Sequence, residues 1–182
     1  SIHQDFIIIG AYGRESSGPN TGTAYIFQNT GKSWIQVAEL SADDGSAEDY
    51  FGGSVAIHGD YALIGAPGAD SAGSDSGKAY IYHNSGKGWV LDTELVSPDG
   101  NPGDYFGTSV ALNQEFLMIG ATGADTAGEA VPGAVFSYYH DGKQWVRNAR
   151  ITAGIAENHG MDAAFFNRPL KTDRLLAGLT PW

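Results

Sequence analysis

The chain is built from a segment of about 55 residues that occurs repeatedly. Residues 49–56 read DYFGGSVA and residues 104–111 read DYFGTSVA, so one motif returns after 55 positions. An Ile-Gly-Ala triplet and a single tryptophan recur with nearly the same shift, at Ile9, Ile64 and Ile119 for the triplets and at Trp34, Trp89 and Trp145 for the tryptophans. A period of roughly this length is typical of solenoids, propellers and other arrays, in which one unit cannot bury its apolar face alone.

Each period contains four short segments with the composition of β-strands. In the central unit they are residues 51–57, 61–66, 78–83 and 89–95, and turn residues such as Gly59 separate them. No segment shows the 3.6-residue apolar periodicity of an amphipathic helix. We therefore predict an all-β chain made of four-stranded antiparallel β-propeller blades.

The repeats divide the chain into about three units and part of a fourth. We predict one partial propeller domain over residues 1–182, with repeats at approximately 1–50, 51–105 and 106–162 and a partial repeat at 163–182. Propellers typically close with four to eight blades, so this number of units does not complete a ring. A longer polypeptide, several copies of the chain, or a smaller closed arrangement would each supply closure, and we favour a larger ring formed by a longer chain.

Composition excludes several classes of function. Ten basic and 21 acidic residues give a net charge of −11, and no basic cluster is present. Nucleic acids and anionic membranes are therefore not predicted as partners. No apolar run is long enough for a transmembrane helix. Nucleophile-elbow, zinc-protease and phosphate-loop motifs are absent, so we predict a protein that is not an enzyme, although carboxylates paired only in three dimensions are left open.

The combination of a Phe-Gly step and a Gly-Ala-Pro step resembles the FG-GAP repeat, which builds the propeller of integrin α-subunits and of many secreted bacterial proteins. The matching residues are Phe51-Gly52 with Gly65-Ala66-Pro67, and Phe106-Gly107 with Gly120-Ala121-Thr122; the first unit keeps Gly10-Ala11-Tyr12. The resemblance covers about residues 2–150. It implies adhesion or ligand recognition at the faces of a ring, and an extracellular, periplasmic or cell-surface location.

Acidic loops precede each Phe-Gly step and are candidate cation sites. The carboxylates concerned are Asp44, Asp49, Asp99 and Asp104. Turn formation is the competing explanation and the one we favour, because Asp side chains accept hydrogen bonds from nearby backbone amides. The resemblance also implies a calcium loop between the first two strands, but only three-residue turns occupy that place, and calcium needs six to eight oxygens. No cofactor is predicted, with calcium at the acidic loops left as an option.

The loops that join the second and third strands of each unit differ in sequence. Their charged residues are candidate ligand-binding residues, namely Arg14, Glu15, Asp70, Asp75, Asp125 and Glu129. In a ring these loops would emerge on one face, where functional residues concentrate. The periodic tryptophans are either stacking platforms for sugars or packing between blades, and their size favours packing.

The function that we predict is a non-catalytic recognition or adhesion module of an extracellular or envelope-associated protein, which binds a protein or glycan partner on a propeller face. Three alternatives remain at this point. The chain could be a lectin with sugar pockets repeated between blades, a structural subunit of a larger assembly, or an enzyme with a site on the ring axis. Self-association or a longer chain would complete the ring.

Overall fold

The computed structural model describes residues 1–15, 18–98, 100–124 and 133–152, which form strands and turns. Within these ranges the strands are β1 (Ile2–His3), β2 (Phe6–Ala11), β3 (Thr23–Asn29), β4 (Trp34–Leu40), β5 (Ser54–His58), β6 (Tyr61–Ala66), β7 (Lys78–Asn84), β8 (Trp89–Val96), β9 (Phe106–Leu112), β10 (Phe116–Ala121), β11 (Ala134–His140) and β12 (Trp145–Thr152). No helix that could cross a membrane occurs in the described parts of the chain.

The strands form three antiparallel four-stranded sheets, each in sequence order. We call them blade 1 (β1–β4), blade 2 (β5–β8) and blade 3 (β9–β12). The predicted all-β fold with four-stranded blades is therefore confirmed. The predicted partial fourth repeat, residues 163–182, lies outside the described residues, and the predicted repeat boundaries stay a prediction.

The first strand of blade 2 begins later than the sequence indicates. The predicted strand starts at Phe51, whereas β5 starts at Ser54. Phe51 instead forms a parallel bridge with Gly22 of blade 1, and Gly52 has a φ of 86°, which interrupts an extended strand. The Phe-Gly step of blade 2 therefore connects two blades before the chain enters the sheet, whereas the equivalent Phe106 of blade 3 is the first residue of β9.

Two apolar seams hold the blades together, and the seams use opposite faces of blade 2. On β6, Ala62 and Ile64 contribute to seam 1 with blade 1, whereas Leu63 contributes to seam 2 with blade 3. Burial on both faces explains why β6 is a continuous apolar run instead of an alternating one. Phe51 in seam 1 and Phe106 in seam 2 are completely buried.

Glycines allow the backbones of adjacent blades to approach closely. A Cβ atom on Gly10 of β2 would lie 1.9 Å from the carbonyl oxygen of Gly52, and one on Gly65 of β6 would lie 2.0 Å from that of Gly107. The Ser54 hydroxyl also donates a hydrogen bond to the Gly107 carbonyl, at 2.7 Å. The glycine of each Ile-Gly-Ala triplet in blades 1 and 2 thus contacts the Phe-Gly step of the following blade.

The outer faces of blades 1 and 3 expose residues whose counterparts in blade 2 are buried. Ile9 of blade 1 is 49% exposed, whereas Ile64, 55 residues later, is completely buried in seam 1. Met118 of blade 3 is 44% exposed, whereas Leu63, 55 residues earlier, is completely buried in seam 2. Ile9 therefore lies on the side of a blade that packs against the preceding blade, and Met118 lies on the side that packs against the following blade.

Candidate recognition face

One edge of the blades, which we call the loop face, carries most of the predicted site residues. It consists of the described parts of the β2–β3 and β6–β7 loops, residues 12–15, 18–22 and 67–77, and of the connections between blades, residues 41–53, 97–98 and 100–105. The strand registers place them together, because the end of β2 and the end of β4 both lie beside the start of β3. The equivalent arrangement occurs in blade 2.

Backbone hydrogen bonds between blades hold the loop face in place. The amide of Tyr50 donates to the carbonyl of Asn20, and the amide of Tyr105 donates to the carbonyl of Asp75, both at 3.0 Å. All four of these residues have φ between 51° and 56°, a left-handed conformation that is uncommon for residues other than glycine. Such strained positions persist where the surrounding structure enforces them, and they cluster at ligand-binding sites.

Exposed tyrosines on the loop face are functional candidates that the sequence analysis missed. Tyr12 is 57% exposed and Tyr105 is 42% exposed. The ring of Tyr50 lies 6.3 Å from that of Tyr12, and its hydroxyl donates to Glu48. A signal was present for Tyr50 and Tyr105, since a tyrosine precedes both complete Phe-Gly steps. The left-handed backbone at these two residues is not apparent from that pattern.

The charged residues predicted on the variable loops have different environments. Arg14 forms a 3.4 Å ion pair with Glu39. Glu15 is exposed and extends from the loop face. The Asp70 carboxylate accepts a 2.8 Å hydrogen bond from the amide of Asp75, so these two residues belong to one turn. The remaining candidates, Asp125 and Glu129, lie outside the described residues.

Blades 1 and 2 enclose a small acidic cavity of about 100 Å³ on the loop face. Asp44, Asp49, Asp70 and Lys78 contribute to its wall. Lys78 bonds to Asp44 and, at 3.3 Å, to Glu94. The hydrogen bond from Lys78 lowers the pKa of Asp44. Burial alone would lower the pKa of Lys78, but its two carboxylate partners outweigh that effect and raise it. The cavity thus contains its own cation.

Two of the predicted metal ligands shape the acidic loops themselves. Asp49 accepts a 2.8 Å hydrogen bond from the amide of Ser46, and Asp104 accepts one of 3.1 Å from the amide of Asn101. These contacts are the turn chemistry that competes with metal binding. Among the described residues no three His, Cys, Asp or Glu side chains are grouped closely enough to hold a metal ion. Asp99 lies outside the described residues, so the cation site stays a prediction.

We expect the Asp49→Asn variant to be more stable than the parent chain at neutral pH. Burial is the main cause that raises the pKa of Asp49; the Ser46 amide opposes it, and Asp44 and Asp70 add to it. A carboxyl whose pKa rises on folding favours the fold when it is protonated, and that contribution is lost as pH rises through the folded-state pKa. The side-chain amide of Asn at position 49 retains an oxygen that can accept the Ser46 hydrogen bond, and it carries no negative charge.

Thermal melts of the two proteins from about pH 3 to about pH 8 check this expectation. The difference in Tm should be small where Asp49 is protonated in the parent and should grow towards neutral pH. A difference that is the same at every pH, or a variant that is less stable at neutral pH, would contradict it.

The three periodic tryptophans have different environments. Trp145 is 8% exposed and packs edge-on against Tyr61 across seam 2, with ring centres 5.5 Å apart. Trp89 meets Phe6 in the same way across seam 1, at 5.7 Å. Trp34 on blade 1 is 42% exposed, because no described blade lies on that side. Trp89 and Trp145, which have a neighbouring blade, therefore pack between blades.

Two histidines at equivalent turns of blades 1 and 2, His3 and His58, stack on each other. The rings of His3 and His58 lie 3.8 Å apart, and the Gly59 amide donates to Nδ1 of His3. Burial lowers the pKa of His58, and the neighbouring His3 lowers it further. The 55-residue spacing of the two histidines in the sequence indicates this contact, because equivalent turns of adjacent blades lie side by side.

Comparison with known protein families agrees with this architecture. A model of the FG-GAP repeat matches residues 34–82 and 89–138, more than half of the chain. Each matched segment begins on the outermost strand of one blade, at Trp34 or Trp89, and continues through three strands of the next blade. A comparison with curated proteins gave no match. Since the family model matches more than half of the chain and includes both Phe-Gly steps, the chain belongs to the FG-GAP repeat family of β-propeller proteins.

Proposed function

We propose that this chain is a non-catalytic recognition or adhesion module of an extracellular or envelope-associated protein, which binds a protein or glycan partner through the loop face. The FG-GAP family is generally non-enzymatic and is typically extracellular or surface-associated, which supports this class of function.

The observation that carries the proposal is the set of exposed tyrosines on a fixed backbone. Tyr12 and Tyr105 project from loops whose positions are set by hydrogen bonds between blades. Tyrosine supplies a large contact area with few rotatable bonds, and it is enriched among residues that dominate binding energy. Loops on a rigid scaffold are also the usual location of binding residues.

Charge indicates what kind of partner surface would fit. The loop face carries the carboxylates of Glu15, Glu48 and Asp70, whereas its cations Arg14 and Lys78 are each paired with a carboxylate. A partner with basic groups would complement this surface and associate faster at low ionic strength. The partner site that we propose is therefore a surface rich in lysine or arginine, or a glycan with basic substituents.

We expect the chain to bind at least one member of a panel of purified extracellular-matrix proteins and arrayed glycans. Surface plasmon resonance should show weaker binding when salt rises from about 0.05 M to about 0.5 M, since exposed charges are screened. The double variant Tyr12→Ser/Tyr105→Ser should weaken binding by roughly tenfold or more, the loss typical of removing interface aromatics.

Val90→Ser provides a matched control, because Val90 is an exposed residue of β8, away from the loop face. It should leave the affinity unchanged. Equal loss in the control and in the tyrosine variant would contradict the assignment to the loop face. Absence of binding across the whole panel would argue against the recognition function.

A further inference from the structure

A second recess lies at the opposite edge of the blades from the loop face. It is a groove of about 410 Å³ at the mouth of seam 1, between blade 1 and the turn that joins β7 to β8. Its walls include the side chains of Phe6, Gln28, Val37, Asn84, Lys87 and Trp89. Its volume falls within the range of small-ligand pockets, which combine aromatic walls with a few polar groups.

The equivalent positions at the mouth of seam 2, which the repeat places 55 or 56 residues later, can be compared with this groove. There Tyr61 replaces Phe6, His83 replaces Gln28, and His140 replaces Asn84, while the tryptophan and the lysine are kept as Trp145 and Lys143. The ring of Tyr61 lies within 6 Å of three rings, those of His83, His140 and Trp145. Its hydroxyl also reaches Nε2 of His140 at 3.5 Å. Aromatic rings therefore occupy the mouth of seam 2.

In seam 1 two of these rings are replaced by amides. Gln28 and Asn84 take the positions of the two histidines, and Phe6 lacks the hydroxyl that Tyr61 uses. Asn84 retains the local role of His140, because its Oδ1 accepts the Gly86 amide just as Nδ1 of His140 accepts the Gly142 amide. The turn is thus the same in both seams, and the groove arises from the side chains.

We propose that the groove binds a pyranose ring of an uncharged saccharide. The rings of Phe6 and Trp89 and the methyl groups of Val37 give an apolar wall for the C–H face of a sugar. The amides of Gln28 and Asn84 offer both donors and acceptors, which suits hydroxyl groups that also do both. Lys87 adds donors at the rim.

The chemistry of the groove favours a sugar over a charged ligand. The protein carries a net charge of −11 and the groove has one lysine at its exposed rim, so an anionic ligand gains little there. Among the described residues, no carboxylate contributes to the wall, so a cationic ligand gains little as well. The site lies on the opposite edge from the loop face, and it does not rest on the partner proposed for that face.

Saturation-transfer NMR with the methyl glycosides of glucose, galactose, mannose and N-acetylglucosamine tests the proposal. We expect the chain to transfer saturation to at least one of the four. The triple variant Phe6→Tyr/Gln28→His/Asn84→His installs the three rings of seam 2 at these positions and should abolish the signal. Val37, whose counterpart in seam 2 is Asp92, stays unchanged. The variant should still fold, because Tyr61, His83 and His140 pack together in the neighbouring seam.

A matched pair of lysine variants keeps the test independent of the triple variant. Lys87→Ala should weaken the same glycoside severalfold, whereas Lys143→Ala, the equivalent change in seam 2, should leave it unaffected. The proposal is overturned if none of the four glycosides receives saturation, if the folded triple variant binds as the parent does, or if both lysine variants weaken binding alike. None of these results bears on the Tyr12 and Tyr105 test of the loop face.

Discussion

The Phe106→Ala variant is expected to lose about 4 kcal/mol of unfolding free energy, the cost typical of truncating a buried phenylalanine. Phe106 has no accessible surface, and its ring lies 5.5 Å from that of Phe136. It also forms a parallel bridge with Gly77 of blade 2, so it contacts both sides of seam 2. Removing the ring leaves a cavity that neither blade can fill without moving relative to the other.

Urea unfolding followed by tryptophan fluorescence would measure this loss. Phe116→Ala is the matched control, since Phe116 lies on the exposed side of blade 3. The same truncation there should cost less than about 1 kcal/mol, as expected for a residue that is already partly solvated. Similar losses for the two variants would show that seam 2 does not depend on the Phe-Gly step.

The Gly65→Ala variant is expected to cost about 3 kcal/mol, at the upper end of the usual range for overpacking. The added methyl would lie 2.0 Å from the Gly107 carbonyl oxygen and 2.4 Å from the Ser54 hydroxyl. The first of these atoms is backbone and belongs to the next blade, so relief requires the two sheets to separate. Separation would also weaken the hydrogen bond from Ser54 to the Gly107 carbonyl.

Gly13→Ala is the appropriate comparison for this experiment. Within the described part of the chain, an added methyl at Gly13 would meet only the Asn20 side chain, at 3.8 Å, which is ordinary contact. That variant should be neutral or slightly more stable, because alanine reduces the conformational freedom of the unfolded chain. If Gly65→Ala were equally neutral in urea unfolding, the close approach of β6 and β9 would not be required for stability.

The blades could be predicted from the sequence because their signals are local and repeated. Short apolar runs, turn residues and a constant period define each strand, and the apolar run of β6 correctly indicates burial on both faces. Phe51 is the exception. Its pairing with Gly22 is made across a seam, so the residues around it in the sequence indicate a strand that begins too early.

The candidate sites were less predictable, because their contacts join residues that are distant in the sequence. Lys78 pairs with Asp44, 34 positions earlier, and this pairing places a cation in the wall of the acidic cavity. The stacking of His3 on His58 depends on how two blades align. The exposed Tyr105 has a left-handed backbone, which its residue type disfavours and therefore does not indicate.

The two exposed outer faces also determine how such blades can associate. The Ile9 side of blade 1 and the Met118 side of blade 3 differ in residues and in role, so an association that repeats the seams joins one face to the other. A twofold dimer requires one self-complementary patch, whereas joining unlike patches is heterologous and proceeds head to tail. Association through these faces therefore has a direction, and it ends only when the accumulated rotation between blades closes a cycle.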